Sequence, residues 1–207
     1  MLSDRDRQFA LTHVPRAVRA AVESVWALDE KLGEIVARTT QPMVGQMRLT
    51  WWYDALTDMK SNKIWGEPIL DRMTSIVAAG GDVDCAALAK MVEGWEALLD
   101  PLPLDSTQLA LYAEARGAQL FAVTTALIGG VTDAAAGRGW ALSDFSNRCS
   151  DPGTAATARA MARTAFDEAQ PSRLPRALRI LSRLARADVD GSGPKNRPLW
   201  HMLWVAR

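Results

Sequence analysis

The segment that decides the fold covers residues 26–58 and reads WALDEKLGEIVARTTQPMVGQMRLTWWYDALTD. Its first half continues a pattern of apolar residues that recur at steps of three, four and seven, namely Val18, Val22, Val25, Leu32 and Val36. This spacing is typical of one buried face of a helix. Asp29 falls in register with that face, so the pattern predicts a carboxylate that points toward the core.

Helical periodicity continues along the chain, and no segment shows the alternation of apolar and polar residues that a strand requires. Breaks at glycine, proline and polar clusters predict helices over about residues 15–38, 43–60, 68–79, 83–99, 106–129, 133–148, 154–169, 174–187 and 198–205. A chain of 207 residues with 48% hydrophobic content can bury one core. We therefore predict an all-α, single-domain helical bundle over residues 1–207, with about eight or nine helices and a flexible segment at residues 1–14.

The position one turn after Asp29 decides what that acid can do. A second acid at position 33 would place two carboxylates about 5 to 6 Å apart at Cβ, where they could share magnesium ions bound to a phosphorylated substrate. The chain has Gly33 there instead. Glu30 and Glu34 lie about 100° from the buried stripe and are expected on the surface.

Residues 26–33 resemble the first aspartate-rich motif of the squalene and phytoene synthases, helical enzymes of the isoprenoid-synthase type that join two prenyl diphosphates head to head. Asp29 and Glu30 stand at the opening acidic pair of that motif, and Gly33 stands at its closing aspartate. The chain is more similar to the branch of this family that contains the mitochondrial respiratory complex I assembly factor and its bacterial relatives. That similarity is carried by Pro42-Met43, Gly45-Gln46-Met47-Arg48-Leu49, Trp52, Asp54, Asp58, Tyr112-Ala113-Glu114 and Leu127-Ile128-Gly129.

The resemblance implies a second aspartate-rich motif at residues 137–148, GRGWALSDFSNR. It places Asp144 at a metal-binding amide position and Arg148 where an aspartate belongs, and a cation there repels magnesium. We favour a simpler account over a working metal site, an ion pair between Asp144 and Arg148 at i,i+4, worth about 0.3 to 0.5 kcal/mol. Asp29 and Asp144 are therefore the candidate metal ligands, in motifs broken at Gly33 and Arg148.

Three further residues complete the candidate substrate cavity formed with Asp29 and Asp144. Arg48 could reach a diphosphate, but we favour a pairing with Asp29, because a buried carboxylate without metal needs a cationic or hydrogen-bonding partner. Trp52 and Tyr112 either line a prenyl cavity or belong to the core. Glu114 and Arg116, which follow Tyr112, are expected to face water.

The balance of charged residues limits the classes of partner that the protein could bind. Lysine plus arginine and aspartate plus glutamate number 24 each, which argues against a general electrostatic grip on nucleic acid. Residues 1–15 show neither a signal peptide nor a membrane anchor, so we expect a cytoplasmic protein with no transmembrane segment. The apolar residues 199–204 either pack against the bundle or make peripheral contact with the inner face of a membrane.

Together these features predict a non-catalytic binding or assembly factor, similar to the complex I assembly branch, that binds a protein partner or an isoprenoid or lipid ligand and needs no cofactor. One alternative is an active, magnesium-dependent prenyl diphosphate transferase of the squalene/phytoene type. Another is an isoprenoid or lipid carrier without chemistry. The chain has no GxSxG elbow, P-loop, GxGxxG or HExxH motif.

Overall fold

The structure is a computed structural model that describes residues 2–61, 63–81, 83–191 and residue 202. Within these ranges the chain is all-helical, with nine α-helices and no strand, which confirms the predicted all-α bundle of about eight or nine helices. No helix in the described ranges is both long enough and apolar enough to cross a bilayer. The helix predicted at residues 198–205 lies outside the described residues, except for Met202.

The first six helices are α1 (Arg5–Leu11), α2 (Arg19–Arg38), α3 (Pro42–Thr57), α4 (Pro68–Ala78), α5 (Cys85–Glu96) and α6. Helix α6 begins as Ser106–Tyr112, passes through a π-helical segment at Ala113–Ala118 and ends as Gln119–Ile128. The last three are α7 (Ala134–Arg148), α8 (Pro152–Glu168) and α9 (Arg176–Val189), and short 3-10 turns lie at Met59–Ser61 and Pro171–Arg173.

The helix starts have a common chemical basis. Aspartate side chains accept the free backbone N–H groups at the first turns of α1, α5, α6, α7 and α8, and proline is the first residue of α3, α4 and α8. The start of α6 is an example. Asp105 caps this helix, and Gln108 completes a capping box with it.

The first part of the chain differs from the prediction. Residues 1–14 were expected to be flexible, but residues 5–11 form α1, and the side chains of Leu2, Arg7 and Val14 are buried. The next helix begins at Arg19 rather than at Pro15, because residues 15–18 form a turn. The Arg19 guanidinium donates to the carbonyls of Thr12 and Val14 and holds that turn.

Helix α2 supplies a central part of the core, with Val22, Val25, Trp26 and Leu32 almost fully buried. Helices α6 and α7 cross at Gly117 and Gly137. A Cβ atom on either glycine would collide with the carbonyl oxygen of the other, so the two backbones are in direct contact. This crossing brings the π-helical segment of α6 next to α7, and both face the Asp29 side of α2.

Candidate functional site

Asp29 is fully buried, as its register on α2 predicts, and its carboxylate is saturated with donors. The Arg116 guanidinium binds it in a bidentate manner, with Nε to Oδ1 and Nη2 to Oδ2 both at 2.9 Å. Arg7 Nη2 donates to Oδ2 at 2.5 Å, and Trp95 Nε1 donates to Oδ1 at 2.8 Å. A charge at this depth is tolerated only when it is paired, and here two cations and an indole pair it.

Arg116 is the centre of the site, although only 1% of it is exposed. Besides Asp29, its guanidinium binds the carboxylate of Asp144 on α7, with Nη1 to Oδ2 at 2.8 Å, and it donates to the Tyr112 hydroxyl. The rings of Trp95, Trp140 and Tyr112 lie 4.2, 4.7 and 5.3 Å from its central carbon. Two acids and three aromatic rings therefore surround one buried cation.

Asp144 lies closer to solvent than Asp29, with 16% of its side chain exposed. Its second oxygen accepts from Arg148 Nε at 2.8 Å, which confirms the predicted i,i+4 pair. Arg148 is 67% exposed and also approaches Asp4, at 3.6 Å. Asp144 thus links an exposed arginine to a buried one.

The two acids at the candidate metal positions are held in their charged forms. Burial alone raises the pKa of the Asp29 carboxyl, but the charges of Arg116 and Arg7 outweigh burial and bring that pKa below its usual value. Burial likewise raises the pKa of Asp144, and Arg116 and then Arg148 lower it further than burial raises it. Burial raises the pKa of the Tyr112 hydroxyl, which stays protonated at neutral pH.

Gly33 faces a space that an aromatic ring already fills. A Cβ atom on Gly33 would lie 2.7 Å from Cη2 and 3.0 Å from Cζ2 of Trp95. This is the same indole that donates to Asp29. A second acid at position 33 would therefore require the Trp95 ring to move away from residue 33, and this movement would break its hydrogen bond to Asp29.

The residues present do not fit a magnesium cluster. Magnesium takes oxygen ligands and demands near-ideal octahedral geometry. All four carboxylate oxygens of Asp29 and Asp144 already accept from arginine or tryptophan, and Arg116 and Arg7 place positive charge at this point. In the described ranges no group of three or more His, Cys, Asp or Glu side chains is arranged to hold a metal ion.

Arg48 does not pair with Asp29, contrary to the prediction. It is exposed on α3, and the cations that pair with Asp29 are Arg7 and Arg116. The expectation that Arg116 faces water is also wrong, whereas Glu114 is exposed and pairs with Arg138 at 3.0 Å.

The sequence contains a signal for Arg116 that was overlooked. It lies four residues after Tyr112 and four before Leu120, and both of these side chains are buried. Arg7 gives no comparable signal, because α1 is too short to show a clear period.

Trp52 and Tyr112 are both buried, with 4% and 1% of their surfaces exposed. A cavity of about 250 Å³ adjoins the charged site. Its lining includes the charged side chains of Arg7, Asp144 and Arg148 and the apolar side chains of Trp140 and Leu181. Neither Trp52 nor Tyr112 lines this cavity, so the residues expected to form a prenyl cavity are not brought together around it.

Comparison of the chain with protein-family models, with curated proteins and with solved structures finds no significant match. Membership in the squalene/phytoene synthase family therefore stays a prediction from the motifs of the sequence.

Proposed function

We propose that this protein is a non-catalytic binding or assembly factor built on a bundle of the squalene/phytoene synthase type, comparable to the complex I assembly branch of that family. One observation carries the proposal. A buried guanidinium, that of Arg116, lies between Asp29 and Asp144, the two acids at the candidate metal positions. The charge that divalent cations would supply there is supplied by the protein itself.

The chemistry of prenyl transfer explains why this matters. A departing diphosphate needs cations that neutralise its developing charge, and those cations need several acidic ligands. Here Trp95 fills the space next to Gly33, and Arg148 stands where the family resemblance implies an aspartate. The acids that are present support the fold, since they neutralise buried arginines.

The proposal includes a binding role in the cytoplasm or at the inner face of a membrane, with a protein partner or an isoprenoid or lipid ligand. The 250 Å³ cavity beside Arg7 and Trp140 is compatible with a small ligand, because it combines charged and apolar walls.

An active prenyl diphosphate transferase is the second candidate, and one observation favours it. Asp29 and Asp144 approach each other from α2 and α7, as opposing motifs in such an enzyme must do, and both contact the same guanidinium. This candidate requires Arg7 and Arg116 to leave Asp29, and Arg116 and Arg148 to leave Asp144, before any cation could bind.

An assay of diphosphate release separates the two functions. Purified protein with magnesium and farnesyl or geranylgeranyl diphosphate should release no diphosphate above a blank, while an active squalene synthase in the same buffer serves as the positive control. Metal-dependent release that disappears in the Asp29→Asn variant would overturn the proposal.

The assembly role has a separate cellular test. A strain that lacks the protein should lose NADH dehydrogenase activity while its hopanoid and carotenoid content stays unchanged. The opposite pattern, with normal NADH dehydrogenase and depleted isoprenoids, would favour the transferase.

A further inference from the structure

Helix α3 has an outer face that the core does not use. Its inner face is buried through Gly45, Leu49, Trp52, Ala55 and Leu56. On the opposite side a stripe at steps of four, four, three and four is exposed, and we name it the α3 outer face: Met43, Met47, Trp51, Asp54 and Asp58. Four of these five residues belong to the motifs that carry the family resemblance, yet none contributes to the buried charged site.

The first half of the α3 outer face is apolar. Met43 and Met47 are 75% and 70% exposed, and Trp51 is 44% exposed. The Trp51 ring is held by edge contacts with Trp52 and Trp65, at 5.4 and 6.1 Å between centroids. Adjacent exposed apolar side chains mark interaction surfaces, and methionine adapts its shape to a partner.

The second half of the α3 outer face is acidic, and its charges do not stabilise the helix. Asp54 lies in the last turn of α3 and Asp58 is its C-cap, at the negative end of the helix dipole. Two like charges at i,i+4 also repel each other. Neither carboxylate has a hydrogen-bond or ion-pair partner in the part of the chain that the structure describes.

We infer that the α3 outer face binds an amphipathic helix of a partner protein, one that presents apolar residues to Met43, Met47 and Trp51 and lysine or arginine to Asp54 and Asp58. The face spans about four helical turns, or roughly 22 Å, which is the length of an ordinary helix. Acids in line with the methionines repel anionic lipid headgroups, so the charge pattern favours a basic helix over a membrane surface. Arg48 borders the apolar half, about 60° from Trp51, but it lies about 120° around α3 from Asp54 and does not neutralise the two acids.

This inference rests on the proposed binding function, since it names the chemistry of the partner. It can be tested with two synthetic amphipathic peptides of about 16 residues, one of leucine and lysine and one of leucine and glutamate in the same pattern. Isothermal titration calorimetry with the full chain should show binding of the lysine peptide, at least about tenfold tighter than the glutamate peptide. Raising the salt concentration should weaken that binding.

Variants on the face assign the contacts. The pair Met43→Ser and Met47→Ser should weaken the lysine peptide about tenfold, because two buried methionine contacts are lost. The pair Asp54→Asn and Asp58→Asn should weaken it about threefold and remove most of its salt dependence. Leu111→Ser is the matched control, since Leu111 is 50% exposed and belongs to a different helix, α6, and it should leave the affinity unchanged.

Several results would overturn the inference. These are no binding of the lysine peptide, equal binding of both peptides, or an equal loss in Leu111→Ser. Tighter binding to vesicles of phosphatidylglycerol and phosphatidylcholine, lost in the methionine variant, would assign the face to lipid. Self-association lost in that variant, seen by analytical ultracentrifugation, would assign it to a second copy of the chain. Diphosphate release is measured separately, so either proposal can fail while the other stands.

Discussion

The buried charged site and the α3 outer face each contain two aspartates, but the carboxylates are paired with cations in the first and, within the described ranges, unpaired in the second. Asp29 and Asp144 have cations on both oxygens, and Arg116 joins them. Asp54 and Asp58 have no partner among the residues that the structure describes. A buried charge must be paired for the chain to fold. An exposed carboxylate is solvated by water and can remain unpaired until another protein binds it. An acid at a position that a family resemblance assigns to a metal can therefore bind a cation only if no side chain of the protein already pairs with it.

Replacing the shared cation should have the largest effect. Arg116→Met leaves two carboxylates without their common partner, and we expect the free energy of unfolding to fall by about 3 to 5 kcal/mol. Urea unfolding followed by circular dichroism measures this loss. The matched control is Arg138→Met, which removes a half-exposed arginine from Glu114 and Glu168 and should cost less than about 1 kcal/mol. Equal losses in the two variants would remove the distinction between buried and exposed acids.

Acid should weaken the buried site next. The folded-state pKa of Asp29 lies below its usual value, so its stabilising contribution is complete above the unfolded pKa of about 3.9 and is lost as pH falls from there through the lowered folded pKa. The loss should be smaller than in Arg116→Met, because pH 3 covers only part of the interval between the unfolded pKa and the lowered folded pKa. Urea unfolding at pH 7, 4 and 3 should show a steeper decline for the wild type than for Asp29→Asn. Parallel declines would mean that other groups control acid unfolding.

A smaller effect is expected where Trp95 excludes a second acid. Gly33→Ala places a methyl group 2.7 Å from the indole, which costs about 1 to 3 kcal/mol, while the helix gains about 1 kcal/mol from alanine. We expect a net loss of about 1 kcal/mol in urea unfolding. Gly153→Ala on α8 is the control, because its Cβ would have no contact under 3.4 Å, and it should be neutral or stabilising. A stabilised Gly33→Ala would show that the space is open.

The smallest effect is expected at the exposed end of the buried site. Arg148 binds the same carboxylate as Arg116 but is 67% exposed, so Arg148→Met should lower the free energy of unfolding by less than about 1 kcal/mol. The same urea assay compares it directly with Arg116→Met. A loss as large as that of Arg116→Met would mean that Asp144 depends on its surface partner.

The fold was accessible from the sequence because helical periods and caps are local. The end of α2 at Arg38 and the end of α6 at Ile128, just before Gly129, follow from breaks that proline and glycine impose. The depth of Asp29 follows from its register with Val22, Val25 and Leu32. Such features depend on residues within one or two turns.

The partners of Asp29 were not accessible in the same way. Arg7, Trp95 and Arg116 come from α1, α5 and α6, and are separated from Asp29 by 22, 66 and 87 positions. Local sequence patterns do not specify contacts between residues so far apart in the chain. Arginine is also found mostly on protein surfaces, so its burial is not expected. A buried acid does predict a cationic partner, but Arg48, the partner that we predicted, is exposed on α3.

The crossing of α6 and α7 has a consequence for any survey of tolerated substitutions. Gly117 follows Arg116 directly, and Gly137 lies two turns before Asp144, so the spacing of these two backbones fixes where the guanidinium meets the carboxylate. Even a methyl group at either glycine would wedge the helices apart. Saturation mutagenesis should therefore find Gly117 and Gly137 as intolerant of substitution as Arg116, although a glycine has no side-chain functional group.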